Sequence, residues 1–451
     1  MKRVAVQLPA GNEAFAKAVS IGTVLVRAGY ETGIVGGAVR DLLLGKTPDD
    51  VDIVTVARPE TLNGLFDDVK LVGASFGVSL VNSVEVAAAR LERRYLDGRH
   101  PEEVKYADSL KEDMTRRDFT VNAMYLDLKS GEVYDHVGGL EDLKKGVIRT
   151  VGDPVQRFSE DYLRMLRAVR FAARFRFKLA PDAFRAIQQL APCCKKLAGE
   201  RVREELTKMF TGSNPAYALE LLRTTGLLKV LLPEVDAMQG VTQPPEYHPE
   251  GDVYEHTLLM FRHLACADLR VAWSVLLHDI GKVATRSVEP SGRIRFFGHE
   301  SVGADMAFEL LERLHFSIAD RDSIVSAIRN HMRFASVCDM RTAKLRKLLA
   351  DENFPVELEL HRLDCISCHA MMDGFVYLLD KLNEYADRLI LPEPLINGND
   401  LKKLGIAPGP VFRKILDAVF EAQLAGSVTT RGEALEKALL AAENMSPDKV
   451  Q

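Results

Sequence analysis

Asp50 and Asp52 stand two apart in Pro48-Asp49-Asp50-Val51-Asp52-Ile53-Val54, a run with strand character. Side chains alternate along a strand, so both carboxylates leave the same face. Neighbouring carboxylates repel, and a divalent cation between them removes the repulsion. Just upstream, Gly33-Ile34-Val35-Gly36-Gly37-Ala38-Val39-Arg40-Asp41 reads as strand, tight turn and helix start. Paired glycines let the backbone approach an anion and aim its N–H groups there. A helix beginning near Ala38 adds the positive end of its dipole. A phosphate cradle beside a carboxylate pair is equipment for metal-assisted phosphoryl or nucleotidyl transfer.

A second chemistry lies further on. His278-Asp279-Ile280-Gly281-Lys282 follows the apolar Val275-Leu276-Leu277 and reads as a buried helix end, with Gly281 as its C-cap. Adjacent His and Asp can bind one metal there, and Asp279 can bridge two. His256, His299, His331 and Asp364 lie on other helical segments of the same region. Imidazole and carboxylate ligands suit Mn, Ni, Fe, Zn or Co.

A third feature is Ser159 to Arg174, which reads as a single strong helix. Arg164, Arg167, Arg170 and Arg174 share one arc, and Leu163, Leu166 and Val169 occupy much of the rest. Such a basic stripe suits an RNA end or a triphosphate. Asp161 and Arg164 are helical neighbours. A carboxylate accepts from the exocyclic amine of cytosine or adenine while a guanidinium donates to the adjacent ring nitrogen. Uracil and guanine set a carbonyl against the carboxylate. The alternative is a local helical ion pair, stabilising by ~0.3–0.5 kcal/mol.

The elements that must position these groups follow from periodicity. Asn12 to Ala28 is helical and ends at Gly29. A helix runs from Pro59 to Phe66, strand and turn from Val69 to Leu80 with Gly73 and Gly77, and a strand from Val84 to Arg90. Glu85 is an acid in that otherwise apolar strand. Glu92 to Lys111 is polar and reads as a mobile loop. In Arg116-Arg117-Asp118-Phe119-Thr120-Val121-Asn122-Ala123, Arg117 can neutralise phosphate, Asp118 accept from a ribose 2′-OH, and Asn122 donate to a phosphate oxygen. From about Leu219 the chain is helical, with Leu391-Pro392-Glu393-Pro394 as a linker.

A chain of 451 residues holds several domains, and 47% hydrophobic with 27% charged residues is an ordinary globular composition. The net charge of −5 excludes a global nucleic-acid footprint, so RNA contact must use a local basic patch. No signal peptide or bilayer-spanning run is expected. Six scattered cysteines fit reduced cytosolic thiols, and a cytoplasmic location is expected. Cys365-x-x-Cys368, near His361 and His369, reads as half-buried thiols in preference to zinc ligands.

GGAVRD followed by DDVDIVT resembles the tRNA nucleotidyltransferase and poly(A) polymerase family, in its bacterial class II form with an HD domain. The resemblance continues through RRDFT-x-NA, through Glu160-Asp161-x-x-Arg164 with its following RAVRF, and through the helix Gly199 to Leu206. HDIGK, within the order H…HD…H…H…D, resembles the HD phosphohydrolase superfamily. Leu395 to Leu401 and Pro408-Gly409-Pro410 resemble the family's tRNA-holding tail, with Phe412-Arg413 departing from its pattern.

The resemblance implies an α+β fold. A polymerase-β-like head with a small mixed sheet and helices (1–140) precedes a mostly helical neck (141–218), HD domain (219–390) and tail (391–451). It implies Mg²⁺ on Asp50 and Asp52, with Glu85 as a third carboxylate. Gly36, Gly37, Arg40, Arg117 and Asn122 would hold the triphosphate and Asp118 the ribose. Asp161 and Arg164 would read the base, with Arg167 and Arg170 beside them. His256, His278, Asp279 and Asp364 would hold one HD metal, His299 and His331 a second, and Lys282 would stabilise developing charge. The implied activity is template-independent building of the CCA end of tRNA from CTP and ATP, plus phosphoester hydrolysis in the HD domain. The segment from Glu92 resembles the family's flexible loop at full length, against a C-only enzyme. Implied partners are tRNA, CTP and ATP, with no membrane and no obligate protein partner. Two alternatives remain at this point: an A-adding enzyme or poly(A) polymerase, and an HD hydrolase whose head binds RNA.

Overall fold

Asn12 begins the first helix as its spacing predicts: its side chain accepts from Phe15 N at 2.8 Å and caps α1 (Glu13–Arg27). Gly29, at φ +91°, supplies the left-handed residue that ends it. The computed structural model describes residues 2–444 except 7, 10, 73–76, 96–100, 245, 247, 250, 265–266, 369 and 386–389, with backbone alone for 92–95 and 101–104. The described chain forms two units. One runs to Ala237 and adds Leu264–Leu269 and Leu310–Phe316; the other comprises Met238–His263, Arg270–Glu309 and the chain from Ser317.

The first unit is built on an eight-stranded mixed sheet. Its strands are β1 (Lys2–Ala5), β2 (Thr32–Val35), β3 (Asp52–Thr55), β4 (Val69–Leu71), β5 (Val78–Val81), β6 (Val84–Ala88), β9 (Met124–Asp127) and β10 (Glu132–Asp135), in the order β1-β10-β9-β2-β3-β6-β5-β4. Neighbours are antiparallel except β3 and β6, which run parallel. Ile53 faces Val86 across that pair, which brings Asp52 level with Glu85. The turn after β2 feeds α2 (Gly37–Leu43), and α3 (Pro59–Leu62) is shorter than the expected helix to Phe66.

Two expectations change. Glu92 to Lys111 is not one loop: β7 (Arg90–Tyr95) and β8 (Pro101–Tyr106) pair as an antiparallel ribbon, and α4 (Leu110–Thr115) follows. Polar composition reports exposure, whereas a ribbon is held by backbone groups that composition does not reveal. Residues 96–100 and Gly73 lie outside the described residues. Ser159 to Arg174 is likewise two helices. After α5 (Gly139–Lys145), α6 (Pro154–Glu160) ends at Asp161, whose φ of −150° is extended, and α7 (Leu163–Phe175) starts afresh. Asp161 accepts from Leu163 N at 3.0 Å, the local competition by which a short acidic side chain opens a helix. A two-residue parallel pair, β11 (Val147–Ile148) with β12 (Lys178–Leu179), packs against α7; α8 (Pro181–Leu190) packs against α6, and α9 (Gly199–Phe210) and the helix Pro215–Thr224 pack against α7.

The second unit is helical apart from a hairpin of β13 (Ser287–Val288) and β14 (Ile294–Arg295). Helices Val253–His263, Leu269–Leu277, His299–Arg313, Ile318–Asn330 and Phe354–Ser367 carry its histidines and acids or flank them. Beyond Pro394, Leu401, Ile415, Val419 and Ala434 form a separate small core. Among the described residues, no helix is long and apolar enough to cross a membrane.

Candidate active sites

In the first unit the acids gather at one edge of β3. Asp52 is half-buried at its start, exposed Asp50 lies two residues before it outside the strand, and exposed Glu85 comes from β6. Burial, then Asp50, then Glu85 push the Asp52 carboxyl up to about 6, against the pull of Arg117. A carboxyl raised by burial and by two like charges is one that a cation would hold ionised.

The glycine turn lies beside two guanidinium groups. Gly36 has φ +68°, and a Cβ there would stand 3.5 Å from Arg117 Nη1. A Cβ on Gly37 would stand 3.4 Å from Arg40 Nη2. Asp113 anchors this edge, and sequence reasoning missed it. Fully buried, it accepts from Arg116 Nε at 2.8 Å, from Arg117 Nη2 at 3.1 Å and from Arg90 N at 3.2 Å. Burial pushes its carboxyl up, but Arg117 and Arg116 hold it below the usual range.

The expected triphosphate and ribose contacts form one network. Arg40 is buried, donates to Asp41 Oδ1 at 2.9 Å and to Asn122 Oδ1 at 2.6 Å, and lies 4.5 Å from the Phe175 ring centroid. Asn122 Nδ2 reaches Asp118 Oδ1 at 3.4 Å, and Asp118 Oδ2 accepts two bonds from Arg167 at 2.8 and 2.9 Å. The network ties α2 to α7 and so sets the glycine turn against the base-reading candidates.

Asp161 and Arg164 do not form the local pair. Arg164 Nη1 bonds Glu160 Oε2 at 2.5 Å and Arg157 O at 3.0 Å. Asp161 Oδ2 accepts from Arg201 Nη2 at 2.9 Å, across to α9. Each is thus oriented by a different neighbour. Arg201, read from sequence as part of a structural helix, is a positioning partner. Arg170 is engaged too, donating to buried Glu205 at 2.6 Å, so much of the basic stripe is internally paired.

In the second unit, six predicted residues converge on Asp279. His278, His299 and His331 turn Nδ1 toward Val275 O at 3.0 Å, Phe296 O at 2.8 Å and Ile328 O at 2.7 Å. An Nδ1–H donating there leaves each Nε2 with its lone pair for a metal. His299 Nε2 and His331 Nε2 stand only 3.2 Å apart. His256, His278 and Asp279 form one potential ligand group and Asp279, His299 and His331 another, each with ligand atoms within 4.8 Å of one another. His278 Nε2 and both Asp279 oxygens are buried without a hydrogen-bond partner, although Lys282 Nζ makes an ion pair with Oδ2 at 2.8 Å. The donor set therefore fits divalent cations. Burial and His278 lower the His331 pKa to about 4, which keeps it in its neutral, ligating form. Asp364 Oδ1 lies 3.1 Å from His256 Nε2. Burial raises the Asp364 carboxyl, but the bond to His256 and the charges of His256 and His278 hold it well below the carboxylate range.

Two details were not legible beforehand. Gly281 is not a left-handed cap: its φ is −67°. A Cβ there would come 2.1 Å from His299 O and 2.5 Å from Gly303 N, so glycine is needed for close helix approach. Gln243 is buried and accepts from Lys282 Nζ at 2.7 Å, fixing the ammonium beside Asp279. Cys365 Sγ lies 3.7 Å from the His361 ring, and burial pushes its thiol up to about 11, so it remains protonated. His369 lies outside the described residues.

Residues 32–149 match the Poly A polymerase head domain, 176–239 the "Probable RNA and SrmB- binding site of polymerase A", and 252–359 the HD domain. A multifunctional CCA protein of Halorhodospira halophila is 39% identical over 331 residues, 70% of this chain and 76% of its own. The chain belongs to the CCA-adding enzyme family. A CCA-adding enzyme of Leuconostoc mesenteroides is 46% identical over 219 residues, about half of each protein at 48% and 54%. Over 96% of this chain and 100% of its own, the Bacillus stearothermophilus CCA-adding enzyme crystallised with CTP superposes with a TM-score of 0.71 at 27% identity. The Thermotoga maritima enzyme complexed with tRNA shares the fold, with a TM-score of 0.62 at 22% identity over 96% of each chain. The family's mixed-sheet head and helical remainder are the architecture seen here.

Proposed function

We propose that this chain builds or repairs the CCA end of tRNA from CTP and ATP without a nucleic-acid template. The observation that carries the reading is the grouping of Asp52 with Asp50 and Glu85, on the strand next to a glycine turn flanked by Arg40 and Arg117. The relatives' printed activities, and the CTP and tRNA complexes of family members, support it. Mg²⁺ bound by Asp50 and Asp52, with Glu85 alongside, would supply activation of the terminal hydroxyl and stabilisation of the departing pyrophosphate. Gly36 and Gly37 bring backbone N–H groups to the triphosphate, and Arg117 answers its charge. Arg40 and Asn122 brace that turn and contact phosphate through their remaining donors. Asp118, shared with Arg167, accepts from the ribose. Asp161 and Arg164 select cytosine and adenine, held in register by Arg201 and Glu160. Such a reaction places the enzyme with tRNA in the cytoplasm.

The HD residues give a second activity, hydrolysis of phosphate esters such as cyclic phosphates at RNA ends. His256, His278, Asp279 and Asp364 would hold one cation and His299 and His331 a second, of Mn²⁺, Ni²⁺, Fe²⁺, Co²⁺ or Zn²⁺ type. These cations would supply an activated water, and Lys282 would balance the charge of the attacked phosphate. The deciding experiment gives end-trimmed tRNA labelled CTP and then ATP. Two C residues followed by one A are expected. Incorporation of A without C would assign the narrower A-adding or polyadenylating reaction.

A further inference from the structure

We infer that Phe297 is a specificity residue of the HD site, where it stacks on the base of a nucleoside phosphate whose ester lies at the histidine cluster. The inference rests on the hydrolase reading of that cluster and deepens it by naming the residue that receives the base.

A cavity of about 660 Å³ opens onto His278, Asp279, His299 and His331. Its rim includes Phe297, which is 74% exposed, the most exposed large hydrophobic side chain among the described residues. A lone exposed aromatic needs no explanation, but this one is tied to the reacting centre. Phe296 O accepts the His299 Nδ1 bond at 2.8 Å, so the peptide that orients a metal-ligating histidine also presents the Phe297 ring. The ring has a cation beside it. Arg295 lies 5.7 Å from its centroid and is held there by Glu289 Oε1 at 3.0 Å. Arg293, from the same hairpin, also lines the cavity, and Met371, 60% exposed, supplies further apolar surface.

A floor of candidate metal ligands, guanidinium groups and a presented aromatic ring suit a ligand that is anionic at one end and flat and apolar at the other. A nucleobase has that flat face, and stacking on an aromatic tolerates any base. A base-free ester fills the charged end alone.

The test compares adenosine 2′,3′-cyclic phosphate with glycerol 1,2-cyclic phosphate on the full-length, metal-loaded enzyme and on Phe297→Ala and Phe297→Trp. Removing the ring should lower the ratio of the two kcat/KM values about tenfold through KM for the nucleoside. Trp should restore it. Calorimetric titration with adenosine 2′-monophosphate should show the same weakening without turnover. Equal losses on both esters, or an unchanged ratio with unchanged calorimetric affinity, would overturn the inference. If the unaltered enzyme hydrolyses neither ester with any of the candidate metals, the hydrolase reading itself fails.

Discussion

At the scale of single residues, the most informative group is Asp52. Its pKa of about 6 in the fold stands above the ordinary 3.8, so the folded protein favours the protonated acid. Without a cation, the sign is unfavourable: the raised pKa costs stability progressively as pH climbs from about 4 to 6, and the cost persists above that. A bound cation opposes the shift by favouring the ionised form. With Mg²⁺ held as proposed, protons and the metal compete for Asp52. At limiting Mg²⁺, CTP incorporation should fall as pH drops through about 6, and tenfold more Mg²⁺ should move that midpoint lower. A midpoint that ignores Mg²⁺ would show that Asp52 is not a metal-linked acid.

At the scale of elements, both sites depend on how closely backbones approach. Gly281 lets its segment lie against the start of helix His299–Arg313, where an added Cβ would meet His299 O at 2.1 Å. Gly281→Ala should destabilise the second unit by about 1–3 kcal/mol through overpacking. It should also displace His299 and lower HD metal content, read by elemental analysis alongside the melting temperature. Normal metal loading with unchanged melting would refute the close-approach argument. In the first unit the corresponding device is the break between α6 and α7. It turns Asp161 toward Arg201 on α9, where a continuous helix would have left it beside Arg164.

At the scale of the whole molecule, the two proposed chemistries have separate candidate ligand sets on one chain. Asp52→Ala should abolish C and A incorporation while ester hydrolysis persists, and His278→Ala should do the reverse. Assays of both activities on each purified variant decide this. Were Asp52→Ala to leave nucleotide incorporation intact, the first unit would be an RNA-binding module attached to a hydrolase. The acids clustered around Asp52 argue against that outcome.

The residue types and local spacing, with the family resemblance they carry, pointed to the two proposed chemistries. Asp50 and Asp52 are close because they are two apart, although β3 begins only at Asp52; Gly36-Gly37 demands a turn, and His278-Asp279 is a candidate ligand pair, because these properties depend on neighbours within a few residues. The tertiary structure decided which charges meet. Asp161 with Arg201, Lys282 with Gln243, and Asp118 with Arg167 are separated by 40, 39 and 49 positions. No local periodicity encodes such pairings. Asp113, whose pairs with Arg116 and Arg117 are local, reads as an ordinary surface acid until the fold buries it against Arg90 N, and the β7–β8 ribbon reads as loop because backbone pairing leaves no mark on composition. Burial converts these long-range meetings into fixed geometry, since a buried charge is stable only where a partner satisfies it.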